Sequence, residues 1–235
     1  MERLDKFVSS QTGLSRKLAR ERIWKGSVSV NGKAEKSIDC KIDPEKDAVC
    51  IDGRPVSYIE FLYIMMNKPK GYVSATRDRD EQTVLDLLPE NFRRSGLFPA
   101  GRLDKDTEGL LIITDDGAFG HSMTAPGKEV YKTYIAVLDK SAGEAEVRAF
   151  RSGITLDDGE ECRAAFMKPL DGNRTEIKIC EGKYHQVKRM CAAVGLHVEE
   201  LKRVSIGALD LDEALAPGEC RLITEEEKEK LLRNK

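Results

Sequence analysis

Residues 109–114, GLLIIT, are apolar at successive positions rather than at alternate ones. A strand with one wet face alternates apolar and polar side chains, so an unbroken apolar run of strand length needs cover on both faces. The stretch therefore predicts a central strand inside a layered sheet. It also sits among five carboxylates, Asp104, Asp106, Glu108, Asp115 and Asp116, within the seventeen residues GRLDKDTEGLLIITDDG (101–117).

Other segments supply the rest of a sheet. FLYIMM (61–66) and YVSAT (72–76) read as strands around the turn NKPKG, followed by the charged loop RDRDEQT (77–83). KTYIAVL (132–138) and RTEIKIC (174–180) read as strands. SAGEAEVRAFRSG (141–153) predicts a helix with Ser141 and Glu144 as a capping box and Gly153 at its end. YHQVKRMCAAVG (184–195) predicts a helix ending at Gly195, and TEEEKEKLLRNK (224–235) a terminal helix with its charges aligned to the dipole. This order is neither a strict βαβ repeat nor all-β, which gives α+β with a mixed sheet.

The first 58 residues read as a separate small α/β module. SRKLARERIWKG (15–26) predicts a helix capped by Ser15 and closed by Gly26. Arg16, Arg20 and Trp24 fall at i, i+4 and i+8 with Lys17 beside them, a basic stripe carrying one aromatic. Such a stripe suits a phosphate backbone. It equally suits an ordinary solvated helix face with Trp24 turned into the core. Asn31-Gly32 and Asp52-Gly53 are two-residue hairpin signals.

Charge is uneven. Residues 1–58 hold 12 Lys/Arg against 9 Asp/Glu, a balance of +3, while residues 59–235 hold 27 against 32, a balance of −5. The overall formal charge of −2 would disfavour a nucleic-acid partner, but counterion release needs local basic clusters rather than a basic whole. No apolar run approaches the length of a membrane span, and the N-terminus lacks the apolar core of a secretory signal, so the cytoplasm is expected. The six cysteines include no pair at zinc-ribbon or thioredoxin spacing, and with three scattered histidines they are expected to be reduced thiols rather than metal ligands.

Three chemistries compete for the carboxylates. Residues 104–115 imitate the spacing of an EF-hand loop, yet lack flanking helices and end on Asp where a bidentate Glu is needed. A magnesium-dependent phosphoryl-transfer site would use Asp104 and Asp106, but no phosphate-cradling glycine loop accompanies them. The third needs a single nucleophilic or basic carboxylate kept ionised by a cation from elsewhere in the chain. Solvated loop acids remain the alternative to all three, and composition does not choose.

Motifs distributed over the whole chain do. MNKPKGYVSAT (66–76), TVLDLLP (83–89), GRLDKDTEGLL, EVYKTYIAVL (129–138), EGKYHQVKRMCAAVG (181–195), VEELKRVSIGAL (198–209) and LAPGECRLITEEE (215–227) together resemble the pseudouridine synthases. YHQVKRM is similar to the branch that modifies small-subunit ribosomal RNA, and residues 2–32 resemble an S4-type RNA-binding module.

The resemblance implies an S4-like module over 1–58 and a mixed-sheet catalytic domain over 59–235. It implies conversion of one uridine of 16S ribosomal RNA, position 516 in the conventional RNA numbering, to its C-glycoside isomer without cofactor or metal. By resemblance Asp104 attacks the flipped nucleotide or removes a sugar proton, and Tyr134 stacks on the base. Lys188 pairs with Asp104, at a position where many relatives carry Arg. Leu201 packs near the base, and Arg102 occupies the space the flipped base leaves. Asp106 and Glu108 are expected at the pocket rim, Asp115 and Asp116 in structural roles, and His185 at a helix start without chemistry. Arg16, Lys17 and Arg20, with Arg22 and Lys25, are expected to contact RNA phosphates. The expected partner is 16S ribosomal RNA or a partly assembled small subunit, engaged by a monomer. Two other readings stay open: a synthase acting on 23S ribosomal RNA or transfer RNA, and a catalytically silent assembly factor.

Overall fold

The strand Glu108–Thr114 is buried at every residue after Glu108 and lies inside a nine-stranded mixed sheet. The computed structural model describes residues 1–234, Pro126 by its backbone alone. Along one edge the strand pairs antiparallel with Tyr63–Lys68. The other edge is split: Val198–Ile206 runs parallel at Glu108 and Gly109, and Phe98–Ala100 runs antiparallel at Ile112, Ile113 and Thr114. Beyond Val198–Ile206 the sheet continues through Lys132–Leu138, Arg174–Ile179 and Phe166–Pro169, and beyond Tyr63–Lys68 it ends on Cys220–Leu222. The α+β class with a mixed sheet is the architecture observed.

One face of the central strand, through Leu110 and Ile112, packs in a core with Met65, Phe119, Met123 and Leu231. Leu111 and Ile113 on the opposite face are also fully buried. Truncating any one of these to alanine is a cavity-forming change worth about 2–5 kcal/mol.

The chain divides into two compact units: Met1–Leu62 together with Leu88–Leu97, and Tyr63–Leu87 together with the chain from Phe98 onward. In the first, helices Leu4–Gln11 and Arg16–Trp24 cover a core of Leu4, Phe7, Val8, Ile23 and Val28, beside a four-stranded sheet. Ser15 caps the second helix by accepting from Leu18 N–H at 3.3 Å. Both hairpins form, with positive φ at Asn31 and Gly32 and at Asp52 and Gly53, as a type I′ turn requires. Trp24 is 72% exposed, so it lies outside the core, where Ala19 and Ile23 take its place.

Three local expectations change. Residues 72–76 form no strand. Val73 makes an isolated parallel bridge to Thr83, while the Ser74 hydroxyl donates to Leu103 O at 2.8 Å and accepts from Leu103 N–H at 3.1 Å. These bonds tie the segment to a loop instead of a ladder. The helix expected over 141–153 spans Glu144–Ser152, with Gly143 at its N-cap, where Gly143 N–H donates to Glu146 at 2.9 Å. Ser141 instead donates to Gly172 O at 3.0 Å. The helix expected over 184–195 spans Gln186–Ala193, because His185 sits in the left-handed region at φ 47° and cannot extend it.

The terminal helix spans Glu225–Leu231; Lys235 of the expected stretch lies outside the described residues. Its Glu227 receives a bidentate bond from Arg221 at 2.7 and 2.8 Å, which holds the carboxyl at about 2, well below its usual range. The folded state thus binds this proton less readily than the unfolded chain. The resulting stabilisation is complete above the unfolded value near 4.5 and is lost as pH falls toward 2. On the order of 2 kcal/mol is expected to disappear over that interval. Urea unfolding at pH 6 and pH 3 measures it: Glu227→Gln should lose less stability between the two than the wild type, and an equal loss would remove the linkage. Among the described residues no helix is long and apolar enough to cross a membrane.

Candidate active site

The sheet places GRLD at the split edge. Residues 101–105 line a cleft of about 990 Å³ together with Ser74, Ala75 and the 181–185 segment. A smaller recess opens from it, lined by Asp104, Tyr134, Val187 and Leu201 among others. Asp104, Tyr134 and Leu201, far apart in sequence, therefore share one recess, and Arg102 lines both spaces.

Each of these positions has a local cause. Asp104 precedes the central strand, and its carbonyl accepts from Thr107 N–H at 3.1 Å, closing a turn. Tyr134 and Leu201 come from neighbouring antiparallel strands. Both are buried, at 7% and 4% exposure, so the recess has an aromatic face and an apolar wall. Arg102 is exposed and makes no ion pair among the described residues.

The electrostatics differ in one respect from the sequence expectation. Lys188 Nζ lies 3.9 Å from Asp104 Oδ2 but only 2.5 and 2.6 Å from the two oxygens of Asp106. The turn points both carboxylates toward the helix carrying Lys188, and the outer one takes the hydrogen bonds. They hold the Asp106 carboxyl below the usual range. His185 Nε2 stands 3.6 Å from Asp104 Oδ1, its ring stacked on Tyr184 at a centroid separation of 3.8 Å. Asp104 is thus bordered by two nitrogen bases while making no short bond, and its oxygens stay available to a ligand.

Three residues that position this loop escaped the sequence reading. Arg203, 2% exposed, donates from Nε to Leu110 O at 2.8 Å and from Nη2 to Gly101 O at 2.6 Å, filling the gap where the central strand changes partners. Its guanidinium also lies 6.0 Å from the Tyr134 ring centre. Lys68 donates to the carbonyls of Pro69, Lys105 and Thr107 at 3.0, 3.2 and 2.9 Å, and burial pushes its ammonium down to about 8. Ser74 clamps Leu103 as described. For Lys68 alone a signal was available, the single cation ending an otherwise buried strand, since Lys is rarely buried without a specific partner.

The remaining acids disperse. Asp116 caps the helix Gly117–Thr124 through Phe119 N–H at 2.9 Å and accepts from Tyr63 OH at 2.6 Å. Glu108 lies 3.8 Å from Lys70. Among the described residues no three His, Cys, Asp or Glu side chains gather where they could hold a metal ion.

On the first unit, Arg16 and Arg20 donate to the fully buried Asp5 at 2.9 and 2.8 Å, Arg22 bonds Asp52, and Lys25 bonds Glu21 at 2.6 Å. The stripe is therefore anchored at its base.

Comparison with known proteins gives the family. Residues 62–193 match the RNA pseudouridylate synthase family profile. The uncharacterized RNA pseudouridine synthase YtzG of Bacillus subtilis is 44% identical over 229 residues, covering 96% of both chains. Ribosomal small subunit pseudouridine synthase A of Escherichia coli is 42% identical over 227 residues, covering 96% of this chain and 97% of that one. A crystal structure of a pseudouridylate synthase superposes with a TM-score of 0.69 at 38% identity, covering 98% of this chain and all of that one. A cleft that brings Asp104 to a recess with an aromatic and an aliphatic wall, in a chain with these matches, leads to one assignment: the chain belongs to the RNA pseudouridylate synthase family and is an isomerase.

Proposed function

We propose that the enzyme isomerises one uridine of 16S ribosomal RNA, position 516, acting as a monomer on the free RNA or on a partly assembled small subunit. The observation that carries the chemistry is Asp104, set between cleft and recess with its oxygens uncommitted. The 42% identity to the E. coli small-subunit synthase over nearly the full length of both chains supports the choice of RNA.

A uridine within a helix hides its glycosidic bond, so the nucleotide must leave the stack before it can react. In this reading the uracil enters the recess between Tyr134 and Leu201, and Arg102 occupies the place it vacates. Asp104 then acts on the sugar, as nucleophile or as base. The C1′–N1 bond breaks, the uracil turns, C1′ bonds to C5, and the C5 proton departs while N1 gains one. No atom is added or lost overall. Lys188 and His185 border the Asp104 carboxylate at 3.9 and 3.6 Å. Of the two neighbouring carboxylates Lys188 hydrogen-bonds Asp106 alone. A base–aromatic stack contributes about 1–3 kcal/mol to holding the flipped nucleotide.

The S4-like module, residues 1–58, supplies backbone affinity through Arg16, Lys17, Arg20, Arg22 and Lys25, and residues 59–235 supply the chemistry. Asp5 fixes the Arg16 and Arg20 guanidiniums in advance, so less side-chain entropy is lost on binding phosphate. The site is tested by carbodiimide mapping of ribosomal RNA from cells with and without the gene. A modification stop at position 516 that vanishes with the gene is expected. A stop lost instead from 23S or transfer RNA would move the enzyme to another substrate.

A further inference from the structure

Lys132 is a buried cation that makes no ion pair among the described residues, although the Glu181 carboxylate lies near enough to pull against the effect of burial. It lies in the strand Lys132–Leu138 at 6% exposure and lines the large cleft but not the recess. Alternation along the strand puts it on the same face as Tyr134, two residues on. Among the described residues its ammonium makes no hydrogen bond and no ion pair. Burial, reinforced by the neighbouring Arg203 charge, pushes it down to about 8.

Apart from Arg102, which is exposed and stands where the flipped base would leave, the other lysines and arginines of the cleft are committed, Arg163 to Glu129 at 2.9 Å. Arg203 serves two carbonyls, Lys105 bonds Glu81 at 2.7 Å, and Lys183 bonds Glu160 at 2.9 Å. The buried carboxylate nearby, Glu181, is occupied by Arg163 N–H at 2.9 Å and Gln186 Nε2 at 2.6 Å. A desolvated ammonium without a partner opposes folding, so stability does not account for it. An incoming anion does.

We infer that Lys132 binds a backbone phosphate of the RNA strand that enters the cleft beside the flipped uridine. The inference rests on the functional reading above, which makes the entering ligand a polyanion. Lys132 stands outside the recess that takes the base, at the place where the sugar–phosphate chain must pass. A compact ammonium with three rotatable donors suits a single phosphate approached from a variable angle.

The test compares wild type, Lys132→Met and Lys132→Arg on 16S ribosomal RNA, measuring Kd across a salt series and kcat and KM by tritium release from 5-tritiated uridine. Lys132→Met is expected to weaken binding about tenfold, the size of one charge-assisted contact. It should also lower the slope of log Kd against log salt by about 0.7–0.9, one phosphate's share. The loss in kcat/KM should fall on KM, Lys132→Arg should keep the wild-type slope, and the methionine variant should melt no lower than the wild type. A wild-type slope and KM in Lys132→Met would overturn the inference. A loss confined to kcat with the slope retained would also overturn it, placing the ammonium at the reacting base. Wild-type release alone judges the substrate reading, whereas the difference in slopes judges Lys132 on any RNA the protein binds.

Discussion

Gly109→Ala is expected to cost on the order of 3–5 kcal/mol, enough to leave a domain of ordinary stability largely unfolded under mild denaturant. Gly109 is the second residue of the central strand, at the point where Val198–Ile206 joins it in parallel, with φ at +104°. A Cβ there would stand 2.2 Å from Arg203 O and 2.9 Å from Arg203 N, both backbone atoms of the neighbouring strand. Flexible side-chain ends can yield, but a paired backbone cannot. The two strands would have to separate, and Arg203 would withdraw from Leu110 O and Gly101 O, loosening the loop that carries Asp104. Urea unfolding followed by circular dichroism measures the loss. Gly117→Ala is the control: it opens the helix Gly117–Thr124 with nothing within 4 Å of its Cβ, and should shift stability by less than about 1 kcal/mol. Equal stability of Gly109→Ala and wild type would contradict the close parallel pairing.

The contrast between these glycines marks what local sequence conveys. The covered strand 109–114 was legible because its side chains alone demand burial on both faces, and KTYIAVL, RTEIKIC and the two hairpins were legible from alternation and turn residues. Position 109 looks like any other strand glycine, and its constraint comes from Arg203, 94 residues later in the chain. Arg203 itself reads as one cation among several in VEELKRVSIGAL, and only the split sheet edge gives it two carbonyls to satisfy. YVSAT has the composition of a strand, but Ser74 finds Leu103 and leaves the ladder. The shift of the N-cap from Ser141 to Gly143 likewise depends on Gly172, 31 residues away.

The site shows the same division. Motif resemblance nominated Asp104, Tyr134, Leu201 and Lys188 together; the fold brings the first three to one recess and sets the Lys188 ammonium 3.9 Å from Asp104. Which carboxylate Lys188 grips is a matter of side-chain direction within a tight turn, and residue spacing carries no information on it. Lys68 was passed over as a turn residue because its three acceptors are backbone carbonyls, which every sequence has. Lys132 was visible only as part of an apolar strand pattern that it interrupts.

The second large effect concerns chemistry. Asp104→Asn replaces a carboxylate by an amide of nearly the same shape and removes both the charge and the nucleophilic or basic oxygen. Its nearest nitrogens, on His185 and Lys188, stand at 3.6 and 3.9 Å, so few folding contacts are lost and the variant should melt close to the wild type. The rate should fall on the order of 10⁴-fold or more, as when a nucleophile or base is removed from a site that otherwise stays intact. The measurement is tritium release from 5-tritiated uridine in 16S ribosomal RNA and in a partly assembled small subunit, wild type beside Asp104→Asn. Release by the wild type with none above background from the variant is the expected result. Release at equal rates by both would contradict the placement of Asp104 at the centre of the reaction.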